Sequence, residues 1–393
     1  MNNLIQFEIK KFFSRKKNLL VIALFILLSV LFISSNSKLD KNLTSSELTN
    51  INFKIESFEN AINSLKSETE RLPDNVELKQ INEDYKATLV LLNEQKNTYL
   101  NNDRNKYLSL KIQLDQKDLN DIESGNVIGG EDPSYLKENI AINSILLEKN
   151  IKPINTSASM EGLNFIKLFL NNPISIVLVI LIIILNADIV SSEYDSNTFK
   201  LLFTQPIRKS KIILSKVLSS IIITNVIFIS LLTIIFVSLG FINGFGNPEY
   251  PINFLNNRVS EYIGVGKFVL YSSILFILLV NFICIFTNLI STLTKNTATS
   301  MSLSIVIIVS VYMISSKGLL NEISHLNPFT YIDIPNVLTG SLSNIYKNSN
   351  VNLKYGLIIF ILSTLLLLVL TMFIFEKKSI TRKLSFFNSK LGS

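Results

Sequence analysis

Six long apolar blocks, separated by polar stretches, constrain the fold of this chain more than any other feature. Hydrophobic residues make up 48% of the sequence and charged residues only 17%, whereas a soluble domain carries about 25% charged residues. An apolar run of about 20 residues is long enough to cross a bilayer as a helix. We therefore predict an all-α fold, a six-span transmembrane helical bundle with spans at Leu19–Ser34, Ile174–Ala187, Ile212–Leu239, Phe268–Leu293, Ala298–Ser315 and Tyr355–Phe375.

The polar stretch between the first two spans is long enough to form a domain of its own. We divide the chain into an N-terminal helix with the first span (residues 1–35), an insert (residues 36–166) and a second transmembrane unit (residues 167–393). Residues 2–17 combine apolar residues at helical spacing with interleaved basic residues. That pattern predicts a helix that lies on the inner leaflet of the membrane.

Apolar residues in the insert follow a heptad pattern, which is typical of packed, coiled-coil-like helices. Steps of 4, 3, 4 and 3 residues separate Ile51, Ile55, Phe58, Ile62 and Leu65. The insert is predicted to hold three helices, of which the second runs about 47 residues to Ile122 and is roughly 70 Å long. Asp132 and Pro133 supply a cap and a first-turn proline for the third helix. We expect the first helix to pack on the start of the second and the third on its end, which gives an elongated stalk.

Basic and acidic residues lie in different parts of the chain. The insert holds 15 Lys and Arg against 21 Asp and Glu, a balance of −6, and the remainder holds 22 against 9, a balance of +13. The basic excess lies beside the spans, at Lys10–Lys17, Lys200–Lys216 and Lys377–Lys390. Because the cytoplasmic loops of membrane proteins are enriched in Lys and Arg, we expect a multi-pass plasma-membrane protein with both termini in the cytoplasm and an extracytoplasmic insert.

The sequence lacks the motifs of a catalytic chain. Its only Gly-Lys pair, Gly266-Lys267, has neither the earlier Gly nor the following Ser or Thr of a phosphate-binding loop. One cysteine, Cys284, and one histidine, His325, provide neither a disulfide framework nor a multi-histidine metal site. We therefore predict no catalytic residue, no metal and no cofactor in this chain. Its basic charge follows the spans, so lipid headgroups are expected as partners and nucleic acid is not.

Few polar side chains lie within the apolar blocks. Asn225, Asn281 and Asn288 would be costly against lipid, so we expect them to face other helices. They either make interhelical hydrogen bonds or line a translocation path. Asp188, at the end of the second span, either caps the helix that follows, lies at the membrane interface, or belongs to such a path.

A charged segment, Ser191–Lys216, lies between the second and third spans. Its five basic and two acidic residues cannot stay in hydrocarbon, and the excess of Lys and Arg places the segment in the cytoplasm. Residues 191–206 are predicted to form a short amphipathic helix with an apolar face at Phe199, Leu202 and Phe203. Such a helix either docks in a groove of a soluble partner or floats on the headgroups.

This segment resembles the cytoplasmic loop between the second and third spans of type-two ATP-binding-cassette (ABC) exporter permeases. In that family the loop carries Glu, a short gap, Gly-Thr, a Leu-Leu pair, Pro, a basic residue, and then Gly-Lys where the next span begins. The matching residues here are Glu193, Thr198, Leu201, Leu202, Pro206, Arg208 and Lys216. Asn197 stands in place of the first Gly and Ser215 in place of the second. Asn tolerates a left-handed backbone better than most residues, so we expect the first change to be mild.

The resemblance implies a permease subunit of an ABC exporter, and the six spans, the N-terminal helix and the Asn327-Pro328-Phe329 loop fit the same family. Two permeases, either two copies of this chain or one copy and a sibling, would join two cytosolic ATPases that bind ATP and Mg²⁺. The 191–206 helix would be the coupling helix, with contacts from Glu193, Thr198, Phe199, Leu201, Leu202, Phe203, Pro206, Arg208 and Lys216.

The insert suggests a cargo handled at the outer face, such as an antimicrobial peptide or a lipid-linked molecule. Two alternative functions stay open at this point. The first is a non-transporting sensor or mechanotransmission scaffold that uses the outer stalk. The second is an ion-coupled secondary transporter, which the near absence of charge within the spans disfavours.

Overall fold

The chain folds almost entirely into helices, which confirms the all-α prediction. The computed structural model describes residues 1–126, 131–171, 174–256, 259–317 and 320–391. The helices are α1 (Asn2–Ser14), α2 (Lys16–Arg71), α3 (Val76–Leu100), α4 (Arg104–Glu123), α5 (Pro133–Glu148), α6 (Gly162–Phe169), α7 (Ile174–Asn186), α8 (Ser191–Asp195), α9 (Phe199–Thr204), α10 (Lys209–Asn243), α11 (Val265–Leu293), α12 (Thr297–Ser316), α13 (Ile334–Leu338), α14 (Ser341–Ile345) and α15 (Leu353–Leu391). Two 3₁₀ helices, Asn321–Leu326 and Pro328–Ile332, precede α13.

Six helical stretches within the described residues are long and apolar enough to cross a membrane. They are Lys16–Arg71, Ser175–Asp195, Lys209–Asn243, Val265–Leu293, Thr297–Ser315 and Leu353–Lys377. Each overlaps one of the six predicted blocks, so the six-span bundle is confirmed. The basic tail continues α15 to Leu391.

Helix α11 lies at the centre of the transmembrane bundle, where it packs against α7, α10, α12 and α15. Phe282 of α11 contacts Phe360 of α15 and Phe329, with ring centroids 5.9 and 5.4 Å apart. The loop that the sequence singled out, Asn327-Pro328-Phe329, is therefore packed onto the bundle core. By contrast, α15 exposes a continuous apolar face, which suits contact with lipid chains.

Helix α2 crosses the boundary that the sequence placed between residues 35 and 36. It runs without a break from Lys16 to Arg71, so the first span and the first helix of the insert are one 56-residue helix. The switch from apolar to polar residues near Asn36 marks a change of surroundings along the helix and not its end.

Within the described residues, the insert holds four helices, α2 to α5, before α6 begins at Gly162, and not the three that the sequence predicted. The predicted helix of about 47 residues is broken after Leu100, where Asn102 adopts a left-handed φ of 55° and Asp103 caps α4. Helices α3 and α4 lie antiparallel, and Lys117 contacts Asp84 at 2.6 Å. The single second helix is therefore wrong, because a polar Asn-Asn-Asp turn folds that stretch back on itself.

The heptad residues of the insert form its core, as the pattern predicted. The buried members from the four helices are Ile51, Ile55, Leu92, Tyr107, Leu114 and Leu146. The third predicted helix begins as expected, since Asp132 accepts a hydrogen bond from the Ser134 amide at 2.7 Å and Pro133 occupies the first turn.

A β-hairpin occupies the Gly-, Asn- and Pro-containing stretch between α10 and α11. Strands β1 (Pro251–Asn256) and β2 (Val259–Gly264) pair antiparallel, with Pro251 opposite Gly264. The amide of Leu255 donates to the Thr339 carbonyl at 2.8 Å, so β1 also contacts the loop before α15.

Candidate functional site

The segment 191–206 forms two short helices, α8 and α9, where the sequence predicted one. Asn197 separates them with a left-handed φ of 56°, a conformation that cannot continue a right-handed helix. This is the position where Asn stands in place of the Gly of the family pattern, and the structure confirms that Asn suits it. Pro206 then separates α9 from α10.

Glu193 lies at the centre of a buried ionic cluster. Its Oε1 accepts from Lys216 Nζ at 2.8 Å and from Lys11 Nζ, and the Thr198 hydroxyl donates to its Oε2. The side chain of Glu193 is 6% exposed and that of Lys216 is 0% exposed. Lys216 also contacts Glu8 at 2.7 Å. Charges from α1, α8 and α10 therefore neutralise one another at this end of the bundle, since a buried charge is tolerated only when paired.

Asp188 forms a second ionic cluster, with residues at the junction of α1 and α2. Its Oδ2 lies 2.9 Å from both Arg15 Nη1 and Lys17 Nζ. Arg15 also donates to the Ser192 hydroxyl at 2.8 Å, and Lys17 donates to the Ile184 carbonyl at 2.7 Å. The structure thus places Asp188 in a charge cluster at the end of its span.

The exposed apolar surface of α9 differs from the one that the sequence predicted. Leu201 is 68% exposed, whereas Leu202 packs against the buried cluster formed by α10, α11 and α15. The Phe199 ring stacks on Tyr194 with centroids 4.9 Å apart. The side chain of Phe203 lies outside the part of the chain that the structure describes.

The ends of the segment are fixed to the bundle. Lys209 Nζ donates to the Leu202 carbonyl at 3.3 Å, near the end of α9. Asp195 accepts a hydrogen bond from the Thr297 amide at 3.0 Å, which joins α8 to the start of α12. Pro206 and Arg208 are exposed, and Ser215 is buried in the first turns of α10. We name residues 191–208 the coupling segment.

The asparagines of the spans lie in a polar seam between α7, α10 and α11. Asn225 donates to Asn281 at 2.7 Å, and Asn288 donates to the Ser220 hydroxyl at 3.0 Å. Asn186, which the sequence did not select, donates to Thr224 at 3.2 Å. These are interhelical hydrogen bonds, and a role in translocation stays a prediction.

The sequence did not identify Lys11, Arg15 and Lys17 as partners of the coupling segment. The sequence signal that could have found them is charge: Asp188 and Glu193 lie next to the end of a span and need cationic partners, and Lys11, Arg15 and Lys17 lie next to the start of another span. As for metals, the described residues contain no group of three or more His, Cys, Asp or Glu side chains arranged to hold an ion.

Six apolar helices and a charged segment fixed across three of them define a multi-pass helical membrane protein. A sequence model of the family described as ABC-2 family transporter protein matches residues 2–380, so the chain belongs to that family. Comparison with individually curated proteins gave no match. Membership makes the chain a membrane component of a transporter that works with an ABC ATPase.

Proposed function

We propose that this chain is the permease subunit of an ABC exporter and that the coupling segment is where the cytosolic ATPase docks. The observation that carries this proposal is a pair of short helices that are held to the bundle by buried charges while Leu201 projects outward. A helix with an exposed apolar residue suits a hydrophobic groove on a soluble partner. Exposed charge at Arg208 borders this surface.

Coupling requires that the segment is bound to the spans, in addition to having an exposed surface for the ATPase. A docked helix transmits force to the spans only if its other side is bound to them. Within the segment, Glu193 bonds α10 and Asp195 bonds α12, and Asp188, just before the segment, bonds α2. The short helices therefore move with several spans together, as a rigid unit would.

The bundle has a basic end and an insert end, and we place the basic end in the cytoplasm. The basic end carries α1, the coupling segment and the turn at Lys295, and the opposite end carries the insert, the β-hairpin and α13–α14. The excess of Lys and Arg supports this orientation. Both termini are then cytoplasmic, and residues 36–166 are extracytoplasmic.

The complete transporter that we propose contains two permeases, either two copies or this chain and a sibling, with two ATPases that bind ATP and Mg²⁺. The permeases contact membrane lipid, and the polar seam at Asn225, Asn281 and Asn288 is the candidate translocation path. The size and position of the insert support an amphiphilic cargo handled outside, such as an antimicrobial peptide or a lipid-linked molecule.

Docking is tested by the variant Leu201→Asp in cells that also express the ATPase. Ile345→Asp is the matched control, because Ile345 is similarly exposed (62%) but lies at the insert end. We expect Leu201→Asp to reduce co-purification of the ATPase at least fivefold and Ile345→Asp to leave it unchanged. Equal recovery of the ATPase with both variants would contradict the docking proposal.

Orientation is tested by cysteine labelling in intact cells. Cys284 is fully buried, and Cys284→Ser provides the background. We expect a membrane-impermeant maleimide to label Val76→Cys, which lies at the start of α3 and is 75% exposed, and to spare Leu201→Cys until the cells are opened. The opposite labelling pattern would place the coupling segment outside and overturn the assignment.

A further inference from the structure

One helix, α2, reaches from the coupling segment into the insert. Its 56 residues extend about 84 Å at 1.5 Å per residue. Residues 16–71 contain neither proline nor glycine, which are the common causes of a helix kink. A displacement at the basic end of α2 is therefore carried along a continuous helix to its other end.

The basic end of α2 is bound to the residues that flank and begin the coupling segment. Arg15 and Lys17 both pair with Asp188, whose side chain is only 8% exposed. The hydrogen bonds from Arg15 to Ser192 and from Lys17 to the Ile184 carbonyl add two further links. Low exposure makes these charge pairs stronger than pairs at an open surface.

The opposite end of α2 is part of the insert core. Ile51 and Ile55 are buried against α3 and α4. The Tyr99 hydroxyl donates to the Thr44 carbonyl at 3.3 Å, and Tyr107 bonds Glu47. Because α2 supplies one wall of this core, the insert has to follow when α2 moves.

We infer that Asp188, Arg15 and Lys17 are positioning residues that link the coupling segment to α2, and that the insert is displaced when the ATPase moves that segment. The inference rests on the proposed function, since the motion enters at the coupling segment. The insert, at the membrane face opposite the coupling segment, is then the part of the chain that moves in response to the ATPase. By thermodynamic linkage, a ligand that binds the displaced insert changes the conformational equilibrium of the coupling segment as well.

The test is a distance measurement by pulsed electron paramagnetic resonance in lipid nanodiscs, on the permease co-purified with its ATPase. Spin labels on Val76→Cys and Ile345→Cys, in the Cys284→Ser background, report the distance between the insert and the transmembrane bundle. The distance is measured without nucleotide and with MgATP plus vanadate. We expect a nucleotide-dependent shift in the otherwise wild-type protein, and a shift at least twofold smaller with Asp188→Asn.

Asp195→Asn is the matched control, because Asp195 binds the coupling segment to α12 rather than to α2. We expect it to keep the full shift. Lys17→Gln is the milder second variant, since Arg15 still neutralises Asp188 and the fold is retained; an intermediate shift is expected. An undiminished shift with both Asp188→Asn and Lys17→Gln would overturn the inference.

A second label pair, Thr204→Cys with Lys295→Cys, reports motion of the coupling segment itself. A shift of this pair without any shift of the insert pair would overturn the inference and leave the proposed function standing. Absence of a shift in both pairs, with the ATPase bound, would overturn both.

Discussion

Lys216 Nζ lies 2.8 Å from Glu193 Oε1 inside the protein, although the two residues are 23 positions apart in the chain. Both residues belong to the pattern that this chain shares with ABC exporter permeases. In this structure the shared spacing has a physical reason, because the carboxylate of α8 and the ammonium of α10 neutralise each other where the two helices meet. The pair fixes the coupling segment to the third span.

Removal of the Glu193 charge is expected to destabilise the protein strongly. Glu193→Gln leaves the buried Lys216 ammonium with Glu8 as its only carboxylate partner among the described residues. Breaking a buried pair in this way costs about 3 kcal/mol. The measurement is thermal unfolding of the purified protein in detergent. Glu193→Gln combined with Lys216→Met should recover part of the loss, and a single variant as stable as wild type would contradict the assigned burial.

The turn between α8 and α9 is expected to tolerate glycine and reject a β-branched residue. Asn197 has a φ of 56°, and a left-handed conformation costs most side chains about 1–2 kcal/mol. Asn197→Gly should therefore keep ATPase co-purification, whereas Asn197→Val should reduce it and speed proteolysis between Asp195 and Phe199. Equal behaviour of the two variants would count against a left-handed turn.

The insert is expected to lose stability as the pH rises through about 6. Burial raises the pKa of Asp115 from its ordinary value of 3.8 to about 6. Because the folded-state pKa is the higher one, the contribution of this group is complete below about pH 4 and is lost above about pH 6. Hydrogen–deuterium exchange of α4 at pH 5 and 7.5, corrected for intrinsic rates, checks this. Asp115→Asn should remove most of the difference; a difference of the same size in that variant would assign it to another group.

Gly340 is expected to be irreplaceable where the α13–α14 loop meets the β-hairpin. Its φ is 71°, and an added Cβ would lie 2.2 Å from the Leu255 carbonyl oxygen. Gly340→Ala should lower the unfolding temperature and cost about 2 kcal/mol or more. Gly125→Ala is the control, since Gly125 has a φ of 76° but open space around it, so only the backbone cost of about 1 kcal/mol applies. Equal losses would rule out a steric contact at Gly340.

The Asn225–Asn281 hydrogen bond is expected to contribute modestly to stability. Interhelical hydrogen bonds in membrane proteins average about 0.6 kcal/mol in double-mutant cycles. A cycle of Asn225→Leu, Asn281→Leu and the double variant, measured by unfolding in mixed micelles, should give a coupling energy near that value. A coupling energy of zero would mean that the 2.7 Å contact adds no stability.

The sequence by itself determined the spans, the helical insert, the family resemblance and the suitability of Asn197 for the position of the family's glycine, but not the helix break there. These follow from local chemistry. An apolar run such as Tyr355–Phe375 cannot dissolve in water, a heptad such as Ile51–Leu65 buries one side of a helix, and Asn accepts a left-handed backbone.

Only the tertiary structure decided which partners the charged residues find and which face of α9 is exposed. Lys11 and Glu193 are 182 positions apart, and no local pattern specifies a pair at that separation. Whether Leu201 or Leu202 faces outward depends on where α9 sits against α10 and α11, a matter of packing and not of periodicity. Helix α2 likewise continues past residue 35 where Asn36 donates to the Ala158 carbonyl, a partner 122 positions away.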